Sequence, residues 1–326
     1  MSEGATRTAA EDRRALLEGA ALLDRSERGK LALTGAGAIE FLNGQVTNEL
    51  AGLRVGEGRY AAFLTHKGHM LGDLRVLAVG DDEGAEPQEL LLDTERVALQ
   101  ALFDMIRRFN VGYDVELHKR TLELALLSLI GPRSLELAGA EKLAAAEHAN
   151  ATVLVDGTRA LAVRTDAGVD LFVAAIDKEE LEQALRERGA QPIEEEAAEC
   201  LRIERGVPRY GIDLDDSVIP QEAGLNERAV SFSKGCYVGQ ETVARLYYRG
   251  RPNRHLRGLR LAAPAQRGEE LRLGERVIGR ISSSAVSPAL GPIALALVRR
   301  EAEPGARVLV GAEHNSAEVL ALPFGG

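Results

Sequence analysis

The chain has 326 residues, 45% hydrophobic and 28% charged, with 40 basic against 50 acidic side chains. That profile belongs to a folded protein with length enough for two or three domains, and it excludes a disordered chain. The longest apolar run, LALLSLI at residues 124–130, falls far short of the roughly 20 residues of a helical membrane span. No membrane partner is therefore expected, and a formal charge of −10 opposes general attraction to a phosphate backbone, so DNA is not an expected partner and RNA is disfavoured.

The first dozen residues are charged and lack an apolar core followed by a small-residue cleavage site, so no secretory signal is expected. Cys200 and Cys236 lie far apart without CxxC spacing. That speaks against a disulfide framework, a thiolate zinc site, or an iron–sulfur cluster held by this chain. No metal site is assigned, and cytoplasmic residence is the expectation.

In chain order, residues 11–23 space their apolar side chains as a helix, and KLALTG reads as a strand. A short helix at 38–42 ends at Asn43-Gly44. RYAAFLTHKG and MLGDLRVLAVG alternate like strands around glycine turns. ELLLD follows a polar loop, residues 96–109 read as a helix, and 116–130 as one or two strands. Residues 135–149 are alanine-rich and read as a helix. Strands are expected at 152–155, 159–164 and 171–176, and amphipathic helices at 178–188 and 192–205. Strands mixed with helices without a βαβ rhythm make an α+β arrangement. From residue 256 onward, short alternating runs recur about every ten residues, the pattern of a small all-β sandwich or barrel, with a boundary at 252–255.

Two segments carry chemistry. The helix expected at 192–205 places acids in its first turn and arginines in its last, with Gly206 as cap and Pro208 beyond. Glu204 stands at the end where a carboxylate is disfavoured, either as a solvated partner of an arginine or as a hydrogen-bond acceptor for a ligand. In SFSKGCYVGQETVARL, a strand-like AVSF leads into Lys234-Gly235-Cys236, and Gly239-Gln240-Glu241 opens a helix. A cysteine near a helix N-terminus and two residues from a lysine is expected to have a lowered thiol pKa; a small packed cysteine in a tight turn is the alternative. Thr34-Gly35-Ala36-Gly37 lacks the third glycine of a dinucleotide fingerprint and reads as a turn. Between Arg245 and Arg260 there are six arginines and no acid, which suits an anionic tail or a solvated face.

Together these segments resemble the YgfZ-type folate-binding proteins, relatives of the glycine-cleavage T-protein, an aminomethyltransferase. KGCYVGQE at 234–241 is similar to the hallmark of the YgfZ branch. LALTGAGAIEFLNGQVTNEL, LRIERGVPRYGIDLDDSVIPQEAGLN and HKGHMLGDLRVL resemble the family's opening unit, central glutamate segment and acidic hairpin. The resemblance implies a ring of two α+β, ferredoxin-like domains and a C-terminal β-barrel around a hole holding tetrahydrofolate. Residues 1–252 would form the folate-binding region, with internal boundaries near 50 and 130, and 253–326 the barrel. It implies Glu204 and Glu222 as pterin ligands, because a carboxylate accepts two parallel N–H bonds from a 2-amino-4-oxo edge. It assigns Arg245 to the glutamate tail, Gln240 to folate, and Tyr60 or Tyr237 to ring stacking.

One departure stands out. Where the T-protein carries a GGxxDD-like hairpin, this chain reads Gly72-Asp73, keeping one acid as the catalytic candidate. With Cys236 as a thiolate tuned by Lys234, the resemblance implies a folate-dependent accessory protein for iron–sulfur assembly or repair. Its partners would then be folate, in tetrahydro or one-carbon-substituted form, and iron–sulfur client or assembly proteins. The alternative is a folate-dependent aminomethyltransferase acting through Asp73.

Overall fold

A computed structural model describes residues 9–324, which divide into two compact units. The first takes in the described residues up to Leu42, then Leu50–Tyr60 and Leu74–Ala198. The second takes in Asn43–Glu49, Ala61–Asp73 and residues 199 onward. No helix among the described residues is long and apolar enough to cross a membrane.

The architecture is α+β with a closed C-terminal barrel. One sheet has six strands in the order Gln191–Pro192, Ala21–Asp24, Leu124–Ile130, Gly168–Ala174, Thr158–Arg164, Asn150–Val155. The other has five, in the order Gly58–Leu64, Met70–Val79, Glu89–Thr94, Gly29–Thr34, Glu116–Lys119. Near-continuous apolar strands such as Leu124–Ile130, buried from Ala125 to Ile130, are what a sheet covered on both faces requires. Leu127, Leu129, Val169 and Leu171 share a core with Leu181 and Leu185 of the helix Lys178–Glu187. Each such side chain taken from water contributes about 1.5–3 kcal/mol.

This first unit also buries charge. Asp93, with no exposure, accepts both Arg28 Nε and Nη2 at 2.9 Å and Arg75 Nε at 2.7 Å. Arg75 Nη1 reaches Asp170 at 2.6 Å, and Ser128 donates to the other Asp170 oxygen at 2.6 Å. Burial pushes the Asp93 carboxyl up, but the two guanidiniums outweigh it and hold it at about 2.

The barrel closes in the order Arg254–Leu261, Gly291–Arg299, Arg276–Ser287, Glu270–Leu273, Arg307–Val310, Asn315–Leu320. Inward residues alternate as a strand demands: Val308 and Val310, like Ala317 and Val319, are buried, with exposed or half-buried neighbours between. The register slips between Ile281 and Ser283. At this bulge Ser282 and Ser283 donate to the same Asp213 oxygen, at 2.5 and 2.7 Å.

Several local expectations meet a different chain path. The first helix is Ala9–Glu18, and Leu22 and Leu23 belong to the strand Ala21–Asp24. Of the alanine-rich 135–149 segment only residues 135–137 are helical, as the end of the short helix Ser134–Leu137. Gly139 turns left-handed there (φ 64°), and Ala138, Ala140 and Leu143 serve the core as packing in turns. Pro192 pairs beside Leu22 in a two-residue strand, so the next helix begins at Glu195. AVSF is not a strand: Ala229 ends the short helix Asn226–Ala229, and residues 230–232 are irregular, with Ser231 N–H committed to Thr47 O.

Candidate active site

Asp73, Glu204, Glu222, Lys234, Cys236, Tyr237, Gln240 and Arg245 all fall in the second unit, whereas Tyr60 falls in the first. Asp73 lies on the strand Met70–Val79 and is only 6% exposed. The strand's start is tied to the loop beyond Tyr210: Met70 N–H donates to Val218 O at 2.8 Å, and the Tyr210 hydroxyl to Met70 O at 3.4 Å. Burial pushes the Tyr210 phenol up to about 12, with the negative charges of Asp216, Asp215 and Asp73 adding to it. Tyr210 is therefore held as a neutral donor beside a field of carboxylates, and sequence reasoning did not single it out.

Glu204 ends the helix Glu195–Glu204, which Gly206 caps in the left-handed region with its N–H on Ile203 O at 2.9 Å. Ser287 of the barrel donates to Glu204 Oε1, and the Cys200 thiol lies 3.9 Å from the same oxygen. The helix is riveted by Arg202, which reaches Asp213 at 2.7 Å and Ser283 at 2.8 Å. Arg209 N–H donates to Asp213 at 3.0 Å, so this buried carboxylate accepts from helix, loop and barrel together.

Glu222 is 6% exposed, and both its oxygens accept from Arg254, at 3.1 and 2.8 Å. Its own carbonyl accepts from Leu256 N–H at 2.8 Å. Glu222 is thus a clamp between the 217–226 loop and the first barrel strand, and one of the six arginines is consumed in making it. Flanking it, the buried oxygens of Gln221 and Asn226 have no hydrogen-bond donor, nor has that of Gln45. Each is a buried acceptor that an N–H donor of a ligand would satisfy. Their amides gave no signal in the sequence, since the need for a donor exists only once they are buried.

The KGCYVGQE loop alternates between anchor and tip. Lys234 and Tyr237 are buried, and Gly235 and Cys236 between them are exposed. The expected pairing of lysine with thiol is not what the structure shows. Lys234 Nζ donates to Asn43 O at 2.7 Å, Asn43 Oδ1 at 2.9 Å, Val46 O at 2.9 Å and Asn48 O at 2.6 Å. Burial, only partly offset by Glu49, pulls its ammonium down to about 8. The same Nζ lies 5.4 Å from the centroid of the Tyr237 ring. Tyr237 is therefore a buried wall, its phenol pushed up to about 12 by burial, and not an open stacking platform. Tyr60 has His148 as its ring neighbour, 6.3 Å between centroids.

Gly239 ends the loop with φ +85°, and a Cβ there would meet Thr65 O at 2.6 Å, so only glycine fits. Gln240 then opens the helix Gln240–Arg249, half-buried, while Arg245 lies exposed on it. Beyond Arg245, Tyr247 and Tyr248 are exposed and Tyr247 stacks on Phe232 at 3.7 Å.

The fold and these acid-bearing loops match one class of protein. Residues 2–234 match the GCVT N-terminal domain, and residues 254–324 match the glycine cleavage T-protein C-terminal barrel domain. The chain belongs to the glycine-cleavage T-protein family. It is 34% identical to the aminomethyltransferase of Streptomyces avermitilis, across 94% of this chain and 86% of that one. It is 30% identical to that of Rubrobacter xylanophilus, across 94% and 83%. The crystal structure of glycine cleavage system aminomethyltransferase T from Bartonella henselae has the same fold, with a TM-score of 0.84 over 97% of this chain and 89% of that one, at 22% identity.

Proposed function

We propose that this chain binds tetrahydrofolate and transfers a one-carbon unit to or from it, as a T-protein-type aminomethyltransferase. The observation that carries the reading is Asp73, a 6% exposed carboxylate on the family's hairpin, whose charge acts on the Tyr210 phenol. A carboxylate so placed takes a proton from the attacking folate amine and returns one to the departing amine. Glu204, held at Oε1 by Ser287, is the pterin ligand, with the amide oxygens of Gln221, Asn226 and Gln45 as further acceptors. Arg245 meets the glutamate tail. Likeness to relatives named aminomethyltransferase supports this reading over an iron–sulfur accessory role.

The test is anaerobic calorimetry with tetrahydrofolate. Glu204→Ala should abolish micromolar binding, whereas Asp73→Asn should keep binding and lose transfer of a one-carbon unit from an aminomethyl donor. Unaltered binding by Glu204→Ala would remove the pterin assignment.

A second reading rests on Cys236, exposed at the tip of a YgfZ-like KGCYVGQE loop. In it the folate-bound protein assists assembly or repair of iron–sulfur clusters in client proteins through the thiol. Full recovery of iron–sulfur enzyme activity by Cys236→Ser, in cells lacking the protein, would exclude that role.

A further inference from the structure

The loop from Asn43 to Asn48 turns four oxygens onto one point, at 2.6 to 2.9 Å from Lys234 Nζ. An ammonium has three hydrogens, so four oxygens around it form a cage of the kind that holds a small cation and exceed its hydrogen-bonding needs. The cage is also where the thiol loop is moored. Ser231 N–H donates to Thr47 O at 3.0 Å and Val238 N–H to Gly44 O at 3.3 Å. The Thr47 hydroxyl donates to Ala229 O, and Asn48 Nδ2 to Arg228 O at 3.2 Å. Both ends of the segment carrying Cys236 are thus tied to residues 44–48, and Lys234 passes through the middle of the attachment. Nothing else in this set of bonds reaches Gly235 or Cys236, which protrude between Lys234 and Tyr237.

We propose that residues 43–48 form a cation cage whose occupant is the Lys234 ammonium, and that Lys234 is a positioning residue presenting Cys236 at a fixed tip, not an electrostatic activator of the thiol. The inference rests on the second reading of the site only for its use of the thiol; the cage is read independently. Removing the three methylenes and ammonium beyond Cβ leaves a gap of the size and charge preference of propylammonium. The site is therefore refillable by that ion and not by propanol, which has the same length without the charge.

The experiment uses the full chain and Lys234→Ala. Amide exchange over 43–49 and 230–239 should accelerate at least tenfold and return toward the wild-type rate with propylammonium but not with propanol. Iodoacetamide alkylation of the Cys236 peptide, followed by mass spectrometry, should keep its pH midpoint while its plateau rate changes, and that change should also be reversed by propylammonium. A midpoint raised by a unit or more, with exchange unchanged, would overturn the proposal in favour of direct activation. Loss that propylammonium and propanol restore equally, or not at all, would overturn the cage. Should Lys234→Ala fail to fold, Asn43→Ala removes one of the four oxygens and should raise exchange in the same two segments, and an unchanged pattern would count against the proposal. A wild-type Cys236 that resists alkylation would remove the thiol reading while the exchange arm still decides the cage.

Discussion

Two clusters, one in each unit, house buried positive charge in opposite ways. In the first, Arg28 and Arg75 face Asp93 and Asp170, so each charge is compensated by a formal charge, and Arg28, Arg75 and Asp93 all shift toward the ionised state. In the second, Lys234 faces neutral carbonyl and amide oxygens, and its ammonium is pulled down to about 8. Charge matched by charge persists over the whole physiological range. Charge matched chiefly by dipoles is conditional, and the same holds for Lys30 of the first unit, whose ammonium meets the carbonyls of Ser26 and Arg28 and is pulled down by burial.

The largest effect that could break this comparison comes from Asp93→Ala. It takes from the Arg28 and Arg75 guanidiniums the carboxylate they share, leaving them Glu95 and Asp170, and should cost about 3–5 kcal/mol, read by urea unfolding. A loss under about 1 kcal/mol would mean the arginines find other partners.

Next comes acid. Asp93 falls from an ordinary 3.8 to about 2 on folding, so its contribution is complete above about pH 4 and is lost as pH falls toward 2. That is about 2 kcal/mol, and Asp93→Asn should flatten this limb of the stability curve. An identical acid limb in the variant would show that other carboxylates set it.

The smallest effect is that of Lys234→Met. Orphaned carbonyls cost free energy while relief of a buried charge returns some, so net stability should move by about 1 kcal/mol or less at pH 7. The pH dependence is the sharper readout. Because the folded ammonium is lowered from 10.5 to about 8, its burial penalty is complete below pH 8 and relieved as pH rises to 10.5. Wild-type stability should therefore gain on the Met variant across that window. A wild-type stability that falls relative to the Met variant as pH rises through that window would contradict the buried-ammonium cage.

How much was legible follows from how local each cause is. The barrel strands could be read because alternation is written within five or six residues, as in Arg307–Val310. The cap at Gly206 and the turn at Gly239 could be read because positive φ narrows the choice of residue. The 135–149 segment could not, because intrinsic helix propensity is weak against the packing of Ala138, Ala140 and Leu143 into a sheet core. Within the site, the family segments located Asp73, Glu204, Glu222 and the thiol loop, but not what each side chain touches.

By itself the sequence determined the α+β class, the all-β tail, the acids of the central segment and a thiol flanked by glycine, because propensity, period and motif act over short spans. Only the tertiary structure decided that Lys234 belongs to a cage 186–191 residues away, that Glu222 clamps Arg254, and that Tyr237 is a wall. The physical reason is that a buried polar group must be matched wherever the chain brings a partner, and no local pattern records which distant backbone oxygens will meet it.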